Sequence, residues 1–371
     1  MSLAAGLSGC GAAAFETVGA AIPSMTNPFA SRAPQQASEA LMFVASTRPV
    51  RNNIRRGGEE GSAHFAQTMV SVPPGHSAGA IEQPTFGKPD PAKHFAVTMD
   101  RDISREEFNT TIATNLSGRV GSNRDVLVFI HGYNTGLEEA RFRLAQIVAD
   151  GKFGGVPVLF TWPSRGEITG YAADKESATA SRDALTRMLL DLAKTPSVGR
   201  VHVLAHSMGA WLAMEGLREA SISGQPNLGG RLGEVMLAAP DIDLAVFRQQ
   251  MAKLAGARVS VFVSANDRAL SLSSLIARDR PRVGAMNPTN DADRNALKRL
   301  GVTIYDVTGA TSSTNFIGHD VYADAPGVIR LIGAQLGRAR PEDAGVSSVL
   351  GSNDVRPTGP EIATEPLPPA Q

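Results

Sequence analysis

The sequence predicts an α/β fold with a mostly parallel, doubly wound sheet and an antiparallel amino-terminal edge. After residue 120, apolar β-branched runs alternate with segments in which apolar residues recur at helical spacing. This alternation is typical of parallel strands joined by right-handed crossovers through helices. Before residue 120, short strand-like runs are separated by Gly and Pro, so we expect them to add antiparallel strands to the same sheet.

The later strand-like runs are almost continuously apolar, which is typical of a sheet covered on both faces. In chain order they are VLVFI from 126, VPVLFTW from 156, RVHVLAH from 200, EVMLAAP from 234, RVSVFVS from 258 and VTIYDVT from 302. The earlier runs are ALMFVAST from 40, AQTMVSV from 66 and KHFAVTM from 93. Apolar stripes predict helices over residues 140–148, 184–192, 244–254 and 328–336.

One α/β domain, residues 39–339, accounts for all of these elements. Residues 1–38 are rich in Ala, Gly, Ser and Pro without sustained periodicity, so we predict a targeting segment and linker. Residues 340–371 are rich in Pro and nearly devoid of large apolar side chains. We expect both terminal segments to be disordered.

Composition excludes several classes of protein. Lys and Arg together number 36, as do Asp and Glu, so the formal net charge is zero. Without a long-range field, nucleic acid is a disfavoured partner, and we expect a small-molecule substrate. The single Cys excludes an internal disulfide and a multi-Cys metal site, and no metal or organic cofactor is implied. Oligomeric state is left open.

The surroundings of Cys10 raise a question of targeting. LSGC at residues 7–10 resembles the lipobox of bacterial lipoproteins, in which the Cys is acylated. A working signal also needs a basic segment and an apolar stretch of about 7 to 15 residues, but only MSLAAG precedes the box. Either the true start lies upstream and the protein is anchored in the bacterial cell envelope, or the match is accidental and the protein is cytoplasmic.

Two serines are candidates for a catalytic nucleophile. Ser77 lies in a full G-x-S-x-G pattern, GHSAG, whereas Ser207 lies in AHSMG, with Ala205 in place of the first Gly. A nucleophile elbow needs a buried strand that ends in a strained turn, followed at once by a helix. Pro84 and the lack of a helical stripe after Ser77 predict only a turn leaving an edge strand.

Ser207 has the context that the chemistry needs. The run RVHVLA before it predicts a strand, and MGAWLAMEGLREA after it predicts a helix. Ala205 adds only a methyl group where the pattern has Gly, and Gly209 keeps the other close approach. A serine that merely caps the helix is the alternative interpretation.

A serine nucleophile needs a histidine base, which is held in the right tautomer by a carboxylate. In α/β-hydrolases the chain order is Ser, then Asp or Glu, then His. His319 is the only His after Ser207, and it lies between the last strand and the last helix. Asp267, just past the fifth later strand, is our choice for the acid, and Asp241 and Asp243 after the fourth are its rivals.

Backbone N–H groups are expected to stabilise the negative charge that develops on the substrate oxygen. One donor is that of Met208, directly after the nucleophile. The other comes from the loop FIHGYNTG at 129–136, where Tyr133 is favoured and Asn134 is next. We expect His131 to tie this loop to its neighbours, and His206 to pack beside the elbow.

The chain resembles a known family through VFIHGYNTG, LFTWPSRG, AHSMGAW, AAPDID, SANDRAL and GHDVY, in this order and over about residues 41–336. It is similar to the bacterial α/β-hydrolases catalogued as domain of unknown function 900, which are esterase- or lipase-like. The resemblance implies an α/β-hydrolase fold, a triad of Ser207, Asp267 and His319, and frequent export or lipid anchoring. It implies no substrate.

These observations predict a serine hydrolase that cleaves carboxylic esters through an acyl-enzyme. Acyl transfer to an alcohol or amine on the same triad, as in acyltransferases and peptidases, is one alternative, and a non-catalytic envelope binding module is another. The segments 162–175 and 223–231 are expected to leave the sheet near the site and to shape its pocket.

Overall fold

A computed structural model describes residues 37–49, 62–164, 170–264, 280–308 and 321–338. Every predicted strand is present. In chain order they are β1 (Ser38–Ser46), β2 (His64–Val72), β3 (Ala96–Ile103), β4 (Val126–Ile130), β5 (Val156–Thr161), β6 (Val201–His206), β7 (Leu232–Ala238), β8 (Arg258–Val263) and β9 (Thr303–Asp306).

The strands form one sheet in the order β3-β2-β1-β5-β4-β6-β7-β8-β9. From β1 to β9 every neighbouring pair is parallel, whereas β2 pairs antiparallel with both β1 and β3. The predicted fold class, α/β with a mostly parallel sheet and an antiparallel amino-terminal edge, is thereby confirmed. In the parallel part, the carboxyl ends of all strands lie at one edge, where sites of such sheets form.

The predicted helical stripes are confirmed, and the structure contains further helices that were not predicted from the sequence. The main helices are α1 (Arg105–Leu116), α2 (Leu137–Asp150), α3 (Tyr171–Ala180), α4 (Arg182–Lys194), α5 (Met208–Ile222), α6 (Leu244–Met251), α7 (Asp291–Lys298), α8 (Val321–Asp324) and α9 (Pro326–Leu336). Those missed are α1, α3, α7 and α8. For α1 a signal existed, since Ser104 Oγ accepts the Glu107 N–H in a serine cap.

Helices cover both faces of the sheet, which explains why its strands are almost continuously apolar. In β4, Val126, Val128 and Ile130 pack with α1, α4 and α5 on one face. Leu127 and Phe129 point the other way and pack with α2 and α9. Alternate side chains of β4 therefore belong to the two cores on opposite faces of the sheet. β4 and β6 are neighbours in the middle of the sheet.

Ser77 lies in a turn after β2, as predicted. This turn is at the edge of the sheet opposite to Ser207, which follows the carboxyl end of β6. Val72 at the end of β2 pairs with Ser38 at the start of β1, so this turn lies at the amino edge of the parallel strands. Ser77 is exposed, and its backbone N–H donates to Glu82 Oε1 at 2.9 Å. No helix begins within residues 73–82.

His76 has partners that the sequence did not indicate. Its Nδ1 lies 2.9 Å from Glu82 Oε2, and its Nε2 lies 3.0 Å from Asp150 Oδ1. Burial opposes protonation, but the hydrogen bonds to both carboxylates outweigh it and raise the pKa of His76 above its ordinary value. The cluster pins the turn to α2 and is structural.

Several sequence predictions fall outside the described residues. These are Cys10 with its lipobox, Asp267, His319 and the carboxyl-terminal tail from 340. The first strand begins at Ser38, one residue before the predicted domain boundary.

In the described ranges, no helix combines the length and the apolar character needed to cross a membrane, and no three His, Cys, Asp or Glu side chains are grouped to hold a metal ion.

Candidate active site

A sharp backbone turn joins β6 to α5 at the carboxyl edge of the sheet. Ser207 has φ +52° and ψ −122°, a conformation that L residues rarely adopt and that strains a non-glycine backbone. The turn is held on both sides, since Ser207 N–H donates to Ala238 O at 2.9 Å and Asp241 N–H donates to Ser207 O at 3.2 Å. Such a strained, over-determined serine between a strand and a helix is the geometry of a nucleophile elbow.

The Ser207 hydroxyl does not cap the helix α5 that follows it. Ser207 occupies the position before α5, yet its side chain makes no capping hydrogen bond. The residue is 3% exposed. The alternative in which Ser207 is an ordinary helix cap is therefore wrong, and no cap accounts for the strain at this position.

Two glycines allow the elbow to pack against the loop that follows β4. A Cβ at Gly132 would lie 2.6 Å from His206 Nδ1 and 3.1 Å from Ser207 Cβ. A Cβ at Gly209 would lie 2.2 Å from the carbonyl oxygen of His131. The first turn of α5 and the loop after β4 therefore approach each other closely at these two glycines.

His131 fixes the start of this loop. Its Nδ1 lies 2.8 Å from Gly132 O, which only accepts, so Nδ1 carries the proton and Nε2 accepts. Nε2 lies 2.9 Å from Thr161 Oγ1, and Trp162 Nε1 donates to His131 O at 3.0 Å. Burial and the neighbouring Arg48 guanidinium lower the pKa of His131 to about 3, so the ring is neutral. As predicted, it links this loop to its neighbours through hydrogen bonds.

Arg48 is a further support of the loop, and no sequence pattern pointed to it. Its guanidinium donates to Thr161 Oγ1 at 2.7 Å, Ser164 O at 2.9 Å and Thr135 O at 2.7 Å, and NH2 lies 3.3 Å from His131 Nε2. One side chain thus joins the ends of β1 and β5 to both ends of the segment 131–135. Its planar fork suits several acceptors at once.

Among the residues that the structure describes, no carboxylate is in direct contact with the positive charge of Arg48. Its hydrogen bonds go to neutral groups, and Asp174 and Glu139 act on it only through longer-range attraction. Burial lowers the pKa of Arg48 from its usual high value, but an arginine stays charged. A cation is therefore held beside the candidate oxyanion loop.

α3 covers the elbow from the side, where the sequence analysis expected only a loop over residues 162–175. The Tyr171 ring packs edge-on against Tyr133 with centroids 5.6 Å apart, and Tyr171 Oη donates to Asp241 Oδ2 at 2.7 Å. Arg282 Nε lies 3.2 Å from Asp241 Oδ1, and both residues are buried. The expectation that residues 162–175 lie near the elbow is confirmed for the described part.

Asp243 caps the helix α6. Its Oδ1 accepts the N–H groups of Ala245 at 2.9 Å and Val246 at 3.2 Å. Its other oxygen lies 3.6 Å from Arg280 Nε. The carboxylates of Asp243 and Asp241 are therefore both engaged in structural contacts.

The remaining two triad candidates, Asp267 and His319, lie outside the described residues, but their chain neighbours reach the elbow's edge. Ser264 follows β8 directly and is buried. The Tyr322 ring stacks on the His206 ring with centroids 4.5 Å apart. The expected packing role of His206 is confirmed by this contact.

The segment 223–231 does not contribute to this edge, so that expectation was wrong. It connects the end of α5 to the start of β7. Arg231 NH1 donates to Val198 O at 2.8 Å, and Arg200 NH1 donates to Gly230 O, so the segment lies beside the start of β6. A helix that begins at the carboxyl edge ends at the opposite one, which is why this connection is remote from Ser207.

Comparison with known proteins gives one family. Residues 104–335 match the model described as "Alpha/beta hydrolase of unknown function (DUF900)". The match begins later than residue 41, where the motif resemblance was expected to start, and leaves out β1 to β3. No curated protein matches the chain.

The solved structures that this chain resembles include two esterases and a predicted hydrolase. Carboxyl esterase 2 of the mycorrhizal fungus Tuber melanosporum has 13% identity and TM-score 0.40, covering 86% of this chain and 92% of its own. The hyperthermophilic esterase of Pyrobaculum calidifontis has 12% identity and TM-score 0.36, covering 80% and 85%. A predicted CIB-like hydrolase of Thermoplasma acidophilum has 13% identity and TM-score 0.38, covering 81% and 99%.

Proposed function

Because this chain belongs to the alpha/beta hydrolases of unknown function, we propose that it cleaves carboxylic esters through an acyl-enzyme on Ser207. The observation that carries the proposal is the backbone of Ser207, strained at φ +52° between β6 and α5 while its hydroxyl caps nothing. Strain of this kind persists where the surrounding structure imposes it, and it clusters at active sites.

His319 is the proposed base. Tyr322 follows it by three residues and stacks on His206, the residue before the nucleophile. Three residues of extended chain span at most about 11 Å, and this short separation along the chain supports the choice of His319. In the proposed reaction, this imidazole takes the proton of the Ser207 hydroxyl as the oxygen attacks the ester carbonyl, and later gives it to the leaving alcohol.

Asp267 is the proposed acid that orients His319. It follows the buried Ser264, at the carboxyl end of β8, by three residues. The contacts of the two rivals also favour it. Asp243 caps α6, and Asp241 is paired with Arg282, so both carboxylates already have structural partners.

The N–H groups of Met208 and Tyr133 are the proposed oxyanion donors. Met208 is the first residue of α5, whose amino-terminal end carries the positive end of the helix dipole. Tyr133 follows Gly132, which packs against Ser207. Removal of one such donor typically costs about 2.7 to 4 kcal/mol of barrier.

Covalent labelling tests the choice of nucleophile. We expect a fluorophosphonate probe to label the parent protein and Ser77→Ala, and to leave Ser207→Ala unlabelled, because only Ser207 is activated. Ser77→Ala is the matched control, since its serine lies in the complete G-x-S-x-G pattern. Loss of labelling in Ser77→Ala with labelling kept in Ser207→Ala would place the nucleophile at the other serine.

Arg48→Gln is expected to lower kcat for a p-nitrophenyl ester about tenfold to a hundredfold with little change in KM. The physical reason is that Arg48 holds the oxyanion loop by Thr135 O and leaves a positive charge beside it, and small displacements of such donors have effects of this size. Arg48→Lys should recover part of the loss. The exposed Arg101, paired with Glu107 on the surface, supplies the control Arg101→Gln, and equal losses in both variants would contradict a positioning role.

A further inference from the structure

α3 is held against both sides of the elbow by its first residue. Tyr171 contacts Tyr133 in the oxyanion loop and Asp241, whose N–H donates to Ser207 O. Lys175 lies one helical turn further along α3. Since residues at i and i+4 share a helix face, Lys175 is presented on the same side as Tyr171.

The Lys175 side chain lies over the first turn of the helix that follows the nucleophile. Its ammonium is 4.7 Å from the ring centroid of Trp211, a cation–π distance. Trp211 is four residues after Ser207, in the first turn of α5. The ammonium therefore lies at the same end of α5 as Ser207, on the side that α3 covers.

Lys175 is half-buried, and within the described ranges its ammonium has neither a hydrogen bond nor a carboxylate in contact. Burial lowers the pKa of Lys175, and the carboxylates that oppose this effect, first Asp241, then Glu215 and Asp243, act only at longer range. A desolvated ammonium without an anionic partner is unfavourable. An anion brought by a ligand would restore the missing interaction.

The acidic groups nearby are already engaged. Asp241 pairs with Arg282, and Asp243 lies 3.6 Å from Arg280. Glu215 accepts a hydrogen bond of 2.8 Å from Gln250 Nε2 and lies 3.8 Å from Arg218. Each carboxylate of the cluster thus has its own partner, and Lys175 contributes the cation that none of them contacts.

We propose that Lys175, standing over Trp211 beside the elbow, forms an anion subsite that selects esters carrying a carboxylate a few bonds from the scissile carbonyl. This inference rests on the proposed ester hydrolysis at Ser207. The substrate carboxylate would accept charge-assisted hydrogen bonds from the ammonium in a partly dehydrated site, where such bonds are strong. Half-esters of dicarboxylic acids and esters of carboxylated alcohols share this chemistry.

Paired substrates test the subsite. On the acyl side, p-nitrophenyl hydrogen glutarate is compared with the neutral p-nitrophenyl pentanoate, and on the alcohol side m-carboxyphenyl pentanoate is compared with phenyl pentanoate. We expect the protein to prefer the anionic ester in one pair, which identifies the side that faces Lys175. Lys175→Gln should lower kcat/KM for that ester about tenfold to a hundredfold, mainly through KM, and leave its neutral counterpart unchanged. Lys175→Arg should keep the preference.

The exposed Lys253 provides the matched control, and Lys253→Gln should behave as the parent protein does. Added salt offers a measurement without any variant, because screening should reduce turnover of the anionic ester more than that of the neutral one. Equal treatment of anionic and neutral esters by the parent protein, or equal losses for both in Lys175→Gln, would overturn the subsite. Undiminished ester hydrolysis by Ser207→Ala would instead overturn the proposed function itself.

Discussion

Turnover of a p-nitrophenyl ester is expected to fall about a thousandfold to ten-thousandfold in Asp267→Asn, because an amide in place of the triad carboxylate stabilises the wrong tautomer of the base. The prediction depends on Asp267, just beyond Ser264 at the end of β8, being the group that orients His319. Steady-state kcat, measured at saturating substrate on folded protein, is the readout.

Asp243→Asn is the control for the effect of Asp267→Asn on turnover. Asp243 caps α6 through the N–H groups of Ala245 and Val246, and Asn is as good a cap as Asp. We therefore expect nearly normal turnover in this variant. The opposite ranking of the two variants would move the triad acid from the end of β8 to the end of β7.

Gly209→Ala is expected to lower both stability and activity. The new Cβ would lie 2.2 Å from His131 O and 2.8 Å from Ile130 O, and backbone atoms in the central strand cannot move aside cheaply. Overpacking of this kind costs about 1 to 3 kcal/mol of unfolding free energy. Because the displaced strand leads into the proposed oxyanion loop, we also expect kcat to fall about a hundredfold.

A second glycine of α5 provides the control for this experiment. A Cβ at Gly216 would meet the Leu185 side chain at 3.2 Å, and a flexible side chain gives way more easily than backbone. Ala also gains about 0.5 to 1 kcal/mol over Gly inside a helix. Gly216→Ala should therefore be near the parent in chemical denaturation and in kcat, and equal damage in both variants would show that the contact at Gly209 is not special.

Local patterns were sufficient to predict the strand, turn and helix at Ser207, but not the contacts around them. The apolar run before Ser207 and the helical stripe after it are properties of consecutive residues, so the turn at the elbow was predictable despite Ala205. The same reasoning correctly placed Ser77 in a turn, because Pro84 forbids a helix there. α3 was missed because its ten residues, YAADKESATA, show only a weak apolar stripe and bury only Asp174 and Ala178.

The sequence by itself determined the alternating elements, the class of the sheet and the identity of the strained serine, since each depends on periodicity, propensity and backbone sterics within about twenty residues. Only the tertiary structure decided that Arg48 supports a loop 87 residues away, that Asp241 is paired with Arg282, and that Lys175 stands over Trp211. These contacts depend on which strands become neighbours, and no local pattern encodes the distance between side chains on separate elements. The surroundings of Ser207, unlike its backbone, are therefore a property of the assembled sheet.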